Sequence, residues 1–151
     1  MEKIEFKKRR KKMKTAAIFY HSKTGTTKRY AEEISKYLQS KGLDTQVTSI
    51  QAYSEDMLNN VDYVLFGCWT NGLMVILQHP EKIWVDFAAK LPSMPDVKVA
   101  LFTTYKILTG SMFRNMYKHL KGKFATPSLE LKSPNGLLSE IDKLALENLI
   151  S

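Results

Sequence analysis

The strongest constraint on this chain is an abrupt change of character at residue 22. The run Thr15-Ala16-Ala17-Ile18-Phe19-Tyr20 is apolar, branched and aromatic, and it gives way to Ser22-Lys23-Thr24-Gly25-Thr26-Thr27, after which a helical pattern begins. The run has the length and composition of a buried strand, and the switch to hydroxyls and glycine marks a tight exit loop. A strand, a short loop and a helix in that order open a βαβ unit. Such a loop turns free backbone N–H groups and the hydroxyls of Ser22, Thr24, Thr26 and Thr27 toward one point at a helix N-terminus. A phosphate dianion is held well there. The plainer reading makes Thr24 or Thr26 a helix cap and Gly25 the bend.

The same alternation continues to the end of the chain. A first helix is expected over 26–40, with Tyr30, Ala31, Ile34, Tyr37 and Leu38 as its inward stripe and Lys41-Gly42 as its stop. A second strand over 44–50 has polar alternates, Thr45, Gln46, Thr48 and Ser49, that suit an edge. A short helix over 55–60 follows. The stretch 61–68, with Tyr63, Val64, Leu65 and Phe66 at its centre, reads as a strand buried on both faces. Helix 80–91 turns Ile83, Phe87, Ala88 and Leu91 inward, strand 98–103 comes next, and helix 111–120 is capped by Ser111 and buries Phe113, Met116, Tyr117 and Leu120. A last strand falls within 124–131, where Pro127 places it at an edge or makes it irregular, and helix 139–149 buries Ile141, Leu144, Ala145, Leu146 and Leu149. Repeated right-handed crossovers give an α/β fold with a parallel sheet covered on both faces, and the loops after strands one, three and four converge at a topological switch.

Bulk properties narrow the class. At 151 residues and 44% apolar, the chain suits one domain with a core that needs no covalent staples. Its single cysteine excludes an internal disulfide framework and a cysteine zinc site, and no metal ligand set is expected. No apolar run approaches the ~20 residues that span a bilayer, and the amino end lacks a signal-peptide core, so a cytoplasmic protein is expected. The net charge of +8 is unevenly placed. Residues 1–14 carry eight basic and two acidic side chains, or +6, so residues 15–151 carry only +2. We therefore expect a flexible basic extension over 1–14 and a folded domain over 15–151. The extension has no aromatic or apolar face, which gives no means of specific nucleic-acid recognition.

Three loops carry the candidate chemistry. The first has neither the GxGxxG fingerprint of dinucleotide sites nor the GxxxxGK[ST] loop of triphosphate sites, so a monophosphate fits it better. Lys28 and Arg29 stand in the first helical turn, where a cation is disfavoured unless a phosphate arrives or water screens it. The second loop, Gly67-Cys68-Trp69-Thr70-Asn71-Gly72, offers an indole to cover an apolar ring and amides near Thr70, Asn71 and Gly72 for its polar edge. Trp69 filling a core gap is the competing role. The third, Thr103-Thr104-Tyr105-Lys106-Ile107-Leu108-Thr109-Gly110, adds hydroxyls, a ring and a cation on the opposite side. His21, His79 and His119 are read as surface or packing residues, and no catalytic acid or base is assigned. Cysteine-phosphatase chemistry requires Cys-x5-Arg, but the residue six after Cys68 is Met74.

Through Ser22-x-Thr24-Gly25-x-Thr27 and the following Ala31, the chain from Thr15 to Ser151 resembles the flavodoxin family, of the short-chain type. The resemblance implies a three-layer flavodoxin-like sandwich, with a five-stranded parallel sheet in order 2-1-3-4-5. It also implies noncovalent FMN. The cofactor would be held by Ser22, Lys23, Thr24, Gly25, Thr26 and Thr27, by Trp69, Thr70, Asn71 and Gly72, and by Thr103, Thr104 and Tyr105. The third loop lacks the acidic, glycine-rich character common in electron-transfer members, and the folded part is not acidic. The leading expectation is a flavodoxin-like carrier that exchanges electrons with a redox protein or reductase. An NAD(P)H-dependent oxidoreductase acting on a quinone or another small acceptor, and a noncatalytic flavodoxin-like interaction module, stay open.

Overall fold

The apolar runs pair as their composition dictates. A computed structural model describes residues 13–70, 82–106 and 110–151, and in it five strands, β1 (Thr15–His21), β2 (Asp44–Ser49), β3 (Tyr63–Trp69), β4 (Lys98–Thr104) and β5 (Leu129–Ser133), form one parallel sheet. Its order is β2-β1-β3-β4-β5. The most apolar strands, β1, β3 and β4, take the three central places, with Ile18 beside Leu65 and Leu65 beside Ala100. The polar β2 lies at one edge, as its alternating hydroxyls predict.

Among the described residues four α-helices complete the three layers: α1 (Thr26–Ser40), α2 (Lys82–Lys90), α3 (Met112–Lys118) and α4 (Glu140–Ile150). One face of the sheet packs Phe19, Phe66 and Leu101 against Trp84 and Phe87 of α2 and Met112 and Met116 of α3. The other packs Ile18, Leu65 and Phe102 against Tyr30, Ile34 and Leu38 of α1 and Leu146 and Leu149 of α4. Full burial of each such side chain contributes roughly 1.5–3 kcal/mol. Gly67 is required by this packing, because a Cβ there would lie 1.9 Å from the ring of Phe102.

Several elements differ from the sequence pattern. The short helix expected over 55–60 is a 3-10 turn over Glu55–Leu58, and a preceding 3-10 turn over Ile50–Ala52 closes the second strand one residue early. The last strand begins at Leu129 instead of near 124: Phe124 is a core anchor, Pro127 cannot donate to a ladder, and regular pairing starts where Leu129 meets Ala100. In α2 the buried stripe is shifted, with Trp84 fully buried and Ile83 only half-buried. Phe113 and Tyr117 of α3 are likewise half-buried, since Met112, Met116 and Leu120 take the inward positions. Ser111 precedes α3 without a side-chain capping bond. In α4, Ile141 is 78% and Leu144 63% exposed. The phase of that helix is fixed by a capping box between Ser139 and Asp142, and Asp142 is drawn inward by a 2.8 Å bond from the Tyr30 hydroxyl. Residues 80 and 81 of the expected second helix lie outside the described residues.

Candidate functional site

The parallel register brings three strand ends to one place. His21, Cys68 and Thr103 stand in one row across β1, β3 and β4, and Trp69 and Thr104 form the next. Because β1 is flanked by β2 on one side and β3 on the other, the crossover direction reverses beside it, and the loops diverge to leave a crevice.

The first loop is built around Gly25, which occupies the N-cap position of α1 with φ 90°, in the left-handed region. A residue with a side chain is strained there, and beyond its chain neighbours no atom of the described residues lies within 4 Å of where a Cβ would stand. The Gly25 N–H donates to Ser22 Oγ at 3.0 Å, and the hydroxyls of Thr24 and Thr26 meet at 3.3 Å. The first intrahelical bond runs from the Arg29 N–H to the Gly25 carbonyl. The amides of Thr26, Thr27 and Lys28 therefore point out of the helix end without a partner one turn back. Three hydroxyls, outward amides and no carboxylate between residues 22 and 31 make an anion seat. Thr27 turns the other way: it is buried, and its hydroxyl bonds that of Thr104 at 2.6 Å.

That bond is one of several that tie the loops together. The Thr70 N–H donates to the Thr104 carbonyl at 2.9 Å, the hydroxyls of Thr70 and Thr103 meet at 3.0 Å, and the Tyr105 N–H reaches the Ser133 carbonyl at 3.3 Å. Lys23 Nζ lies 5.0 Å from the centre of the Trp69 ring, joining the first loop to the second by a cation–π contact. Trp69 is half-buried, yet its indole Nε1 is buried and has no hydrogen-bond partner among the described residues. Such a donor is costly to leave unmet unless a ligand completes it. Trp84 Nε1 is likewise buried without a partner among the described residues, so the Trp69 donor does not by itself mark a ligand site.

All the described sequence-selected residues in the first and third loops, with Trp69 and Thr70, stand at this end of the sheet. Asn71 and Gly72, and residues 107–109 of the third loop, lie outside the described residues. Arg29 is directed away from a free-anion role, since its guanidinium donates to the Asn135 carbonyl. Lys28 and Lys106 are exposed. Sequence reasoning missed the turn after β5. Gly136 there has φ 79°, and a Cβ on it would come within 2.5 Å of the Thr26 carbonyl. Ser133 Oγ accepts the Gly136 N–H at 2.9 Å, so this turn is folded tightly against the start of α1. Pro134-Asn135-Gly136 announces a turn, but nothing in the sequence says that it reaches residue 26. Among the described residues no cluster of His, Cys, Asp or Glu is suited to a metal ion, and no helix is long and apolar enough to cross a membrane.

Known proteins share this arrangement. A family model described as flavodoxin matches residues 18–140. The flavodoxin of Clostridium beijerinckii is 28% identical over 106 residues, a stretch covering 70% of this chain and 75% of the relative. The solution structure of two-electron reduced Megasphaera elsdenii flavodoxin superposes with a TM-score of 0.68 at 23% identity, over 90% of this chain and 99% of that one. A flavodoxin variant from Fusobacterium nucleatum bound to flavin mononucleotide gives a TM-score of 0.62 at 16% identity, over 91% and 94%.

Proposed function

The chain belongs to the flavodoxin family, and from that premise we propose that it binds FMN noncovalently and carries electrons between redox proteins. The observation that carries the reading is the anion seat at α1, with its left-handed Gly25, its cluster of hydroxyls and its outward amides. The donor set fits the cofactor: a phosphate monoester needs several convergent donors and no nearby carboxylate. A flavin ring needs apolar cover together with a few polar contacts at its edge.

In this reading Ser22, Lys23, Thr24, Gly25 and Thr26 hold the phosphate, and Thr27 fixes the third loop to the first through Thr104. Trp69 and Tyr105 cover the ring, and the loop of Thr70, Asn71 and Gly72 meets its polar edge. Thr103 and Thr104 brace these two loops through Thr70. FMN supplies the redox chemistry, taking up and releasing one or two electrons. The chain needs no acid or base of its own for that task. Its parts are to bind, to orient and to limit water.

The matching relatives favour the carrier over the NAD(P)H-dependent quinone oxidoreductase and over the interaction module. The single cysteine of the chain, buried Cys68, is in keeping with a cytoplasmic carrier. Residues 1–12 of the expected basic extension lie outside the described residues, and the segment is assigned no part in holding FMN. The test is reconstitution with FMN followed by two assays. A carrier exchanges electrons with a flavoprotein reductase and shows no sustained NAD(P)H–quinone turnover when alone. Sustained turnover by the purified protein would overturn the carrier reading.

A further inference from the structure

Beyond the cofactor seat, the described surface carries a second organised feature. Between Val97 and Leu129 the sequence holds no carboxylate, while it holds Lys98, Lys106, Arg114, Lys118, Lys121 and Lys123. Helix α3 presents Arg114 and Lys118 to solvent, and Lys106 and Lys121 are exposed before and after it. No ion pair among the described residues neutralises these four cations. Alongside α3 runs an open groove of about 580 Å³, whose lining includes Phe113, Arg114, Tyr117, Pro127, Leu129 and Glu130. Gly110 and Ser111, just before α3, also line it.

We propose that this groove is the docking face for a redox protein whose surface is rich in carboxylates. The proposal rests on the electron-carrier reading and adds the chemistry of the partner. Arginine and half-buried aromatic rings are the side chains that anchor protein interfaces, and here Arg114, Phe113 and Tyr117 share one groove. Unpaired cations around it attract an acidic surface and orient it during encounter. A nucleic acid is the poorer occupant. Base stacking needs a freely presented ring face, whereas Phe113 and Tyr117 are half-buried, and Glu130 would stand against a phosphate chain. On a protein partner, one basic residue among the carboxylates satisfies Glu130. Each transfer moves one electron: iron in a reduced iron–sulfur partner is oxidised by one electron and the flavin gains it.

The experiment uses the FMN-loaded full chain, with an acidic two-iron ferredoxin and the basic horse cytochrome c as partners of opposite charge. Stopped-flow absorbance follows pre-reduced ferredoxin reducing the flavin, and the pre-reduced flavoprotein reducing ferric cytochrome c. With ferredoxin, the second-order rate should fall about tenfold between ~20 mM and ~300 mM salt, because screening removes the attraction. Arg114→Glu/Lys118→Glu should lower the low-salt rate by about tenfold and flatten its salt dependence. The same pair should speed the reaction with cytochrome c. Lys36→Glu/Lys90→Glu, an equal charge change on exposed residues of α1 and α2, should alter either rate less than twofold. Titration of oxidised ferredoxin into the protein reads docking without FMN, so failure to load the cofactor refutes the carrier reading while docking is still judged. An unchanged ferredoxin rate and affinity in Arg114→Glu/Lys118→Glu would overturn the proposal. So would an equal loss in the control pair, or a short single-stranded RNA that binds through Arg114 more tightly than ferredoxin does.

Discussion

Replacing Thr27 by valine tests whether the first and third loops are held as one unit. The Thr27 and Thr104 hydroxyls lie 2.6 Å apart, and both residues are buried. Valine keeps the branched shape but deletes the hydroxyl, so Thr104 Oγ1 is left without a partner away from water. An orphaned buried hydroxyl costs about 1–3 kcal/mol, and the middle of that range shifts the melting temperature by roughly 4–8 °C in a chain of this length. Thr104→Val should cost a similar amount. The double variant leaves no orphan, and its cost should fall short of the sum of the two single costs by about 1 kcal/mol. Urea unfolding of the four apo-proteins, with the slope checked to be constant, measures that coupling. Strictly additive losses would mean that the two hydroxyls are satisfied separately and that the loops are not joined through them.

Gly25→Val should lower FMN affinity by more than tenfold, because it places a branched side chain at the seat and forces a φ of 90°. Its cost to apo-protein stability should stay near 1–2 kcal/mol, read from parallel flavin and urea titrations. Gly67→Ala should destabilise by about 1–3 kcal/mol or more in thermal unfolding, since the new methyl meets the fully buried Phe102 ring. Tyr30→Phe should cost about 1–3 kcal/mol near neutral pH by removing the bond to Asp142. Burial, then the Asp142 carboxylate, pushes the Tyr30 phenol far above its ordinary value. The contribution of neutral Tyr30 is therefore complete below the unfolded-state value of about 10 and lost as pH rises above it, so Tyr30→Phe should lessen the alkaline fall in stability.

The central strands and the first loop were legible because their signals are local. Thr15–Tyr20 is too apolar for the surface, and Ser22-Lys23-Thr24-Gly25 can hardly continue a strand. The edge position of β2 followed from Thr45 and Thr48 for the same reason. Helix phase was less legible. In α4 the run from Leu144 to Leu149 admits more than one inward face, and the choice is made by Asp142, a carboxylate that enters the core to meet Tyr30 across 112 residues of sequence. In α2, Trp84 and Ile83 compete for one inward position, and the aromatic cluster with Phe66 and Phe87 selects the larger ring. The closure of Gly136 on Thr26 was hidden because it joins two loops that no sequence period relates. The inward turn of Thr27 was hidden for a similar reason: its partner, Thr104, lies 77 residues away.

The central claim is that the seat at α1 binds the phosphate of FMN. Its most direct test is a calorimetric titration of the folded apo-protein with FMN and, separately, with riboflavin, which keeps the ring and lacks the phosphate. Two charge-assisted bonds of about 1.5–3 kcal/mol each predict that FMN binds at one per chain and at least roughly a hundredfold more tightly than riboflavin. Equal affinity for the two flavins, or no FMN binding by a protein shown to be folded, would contradict the account.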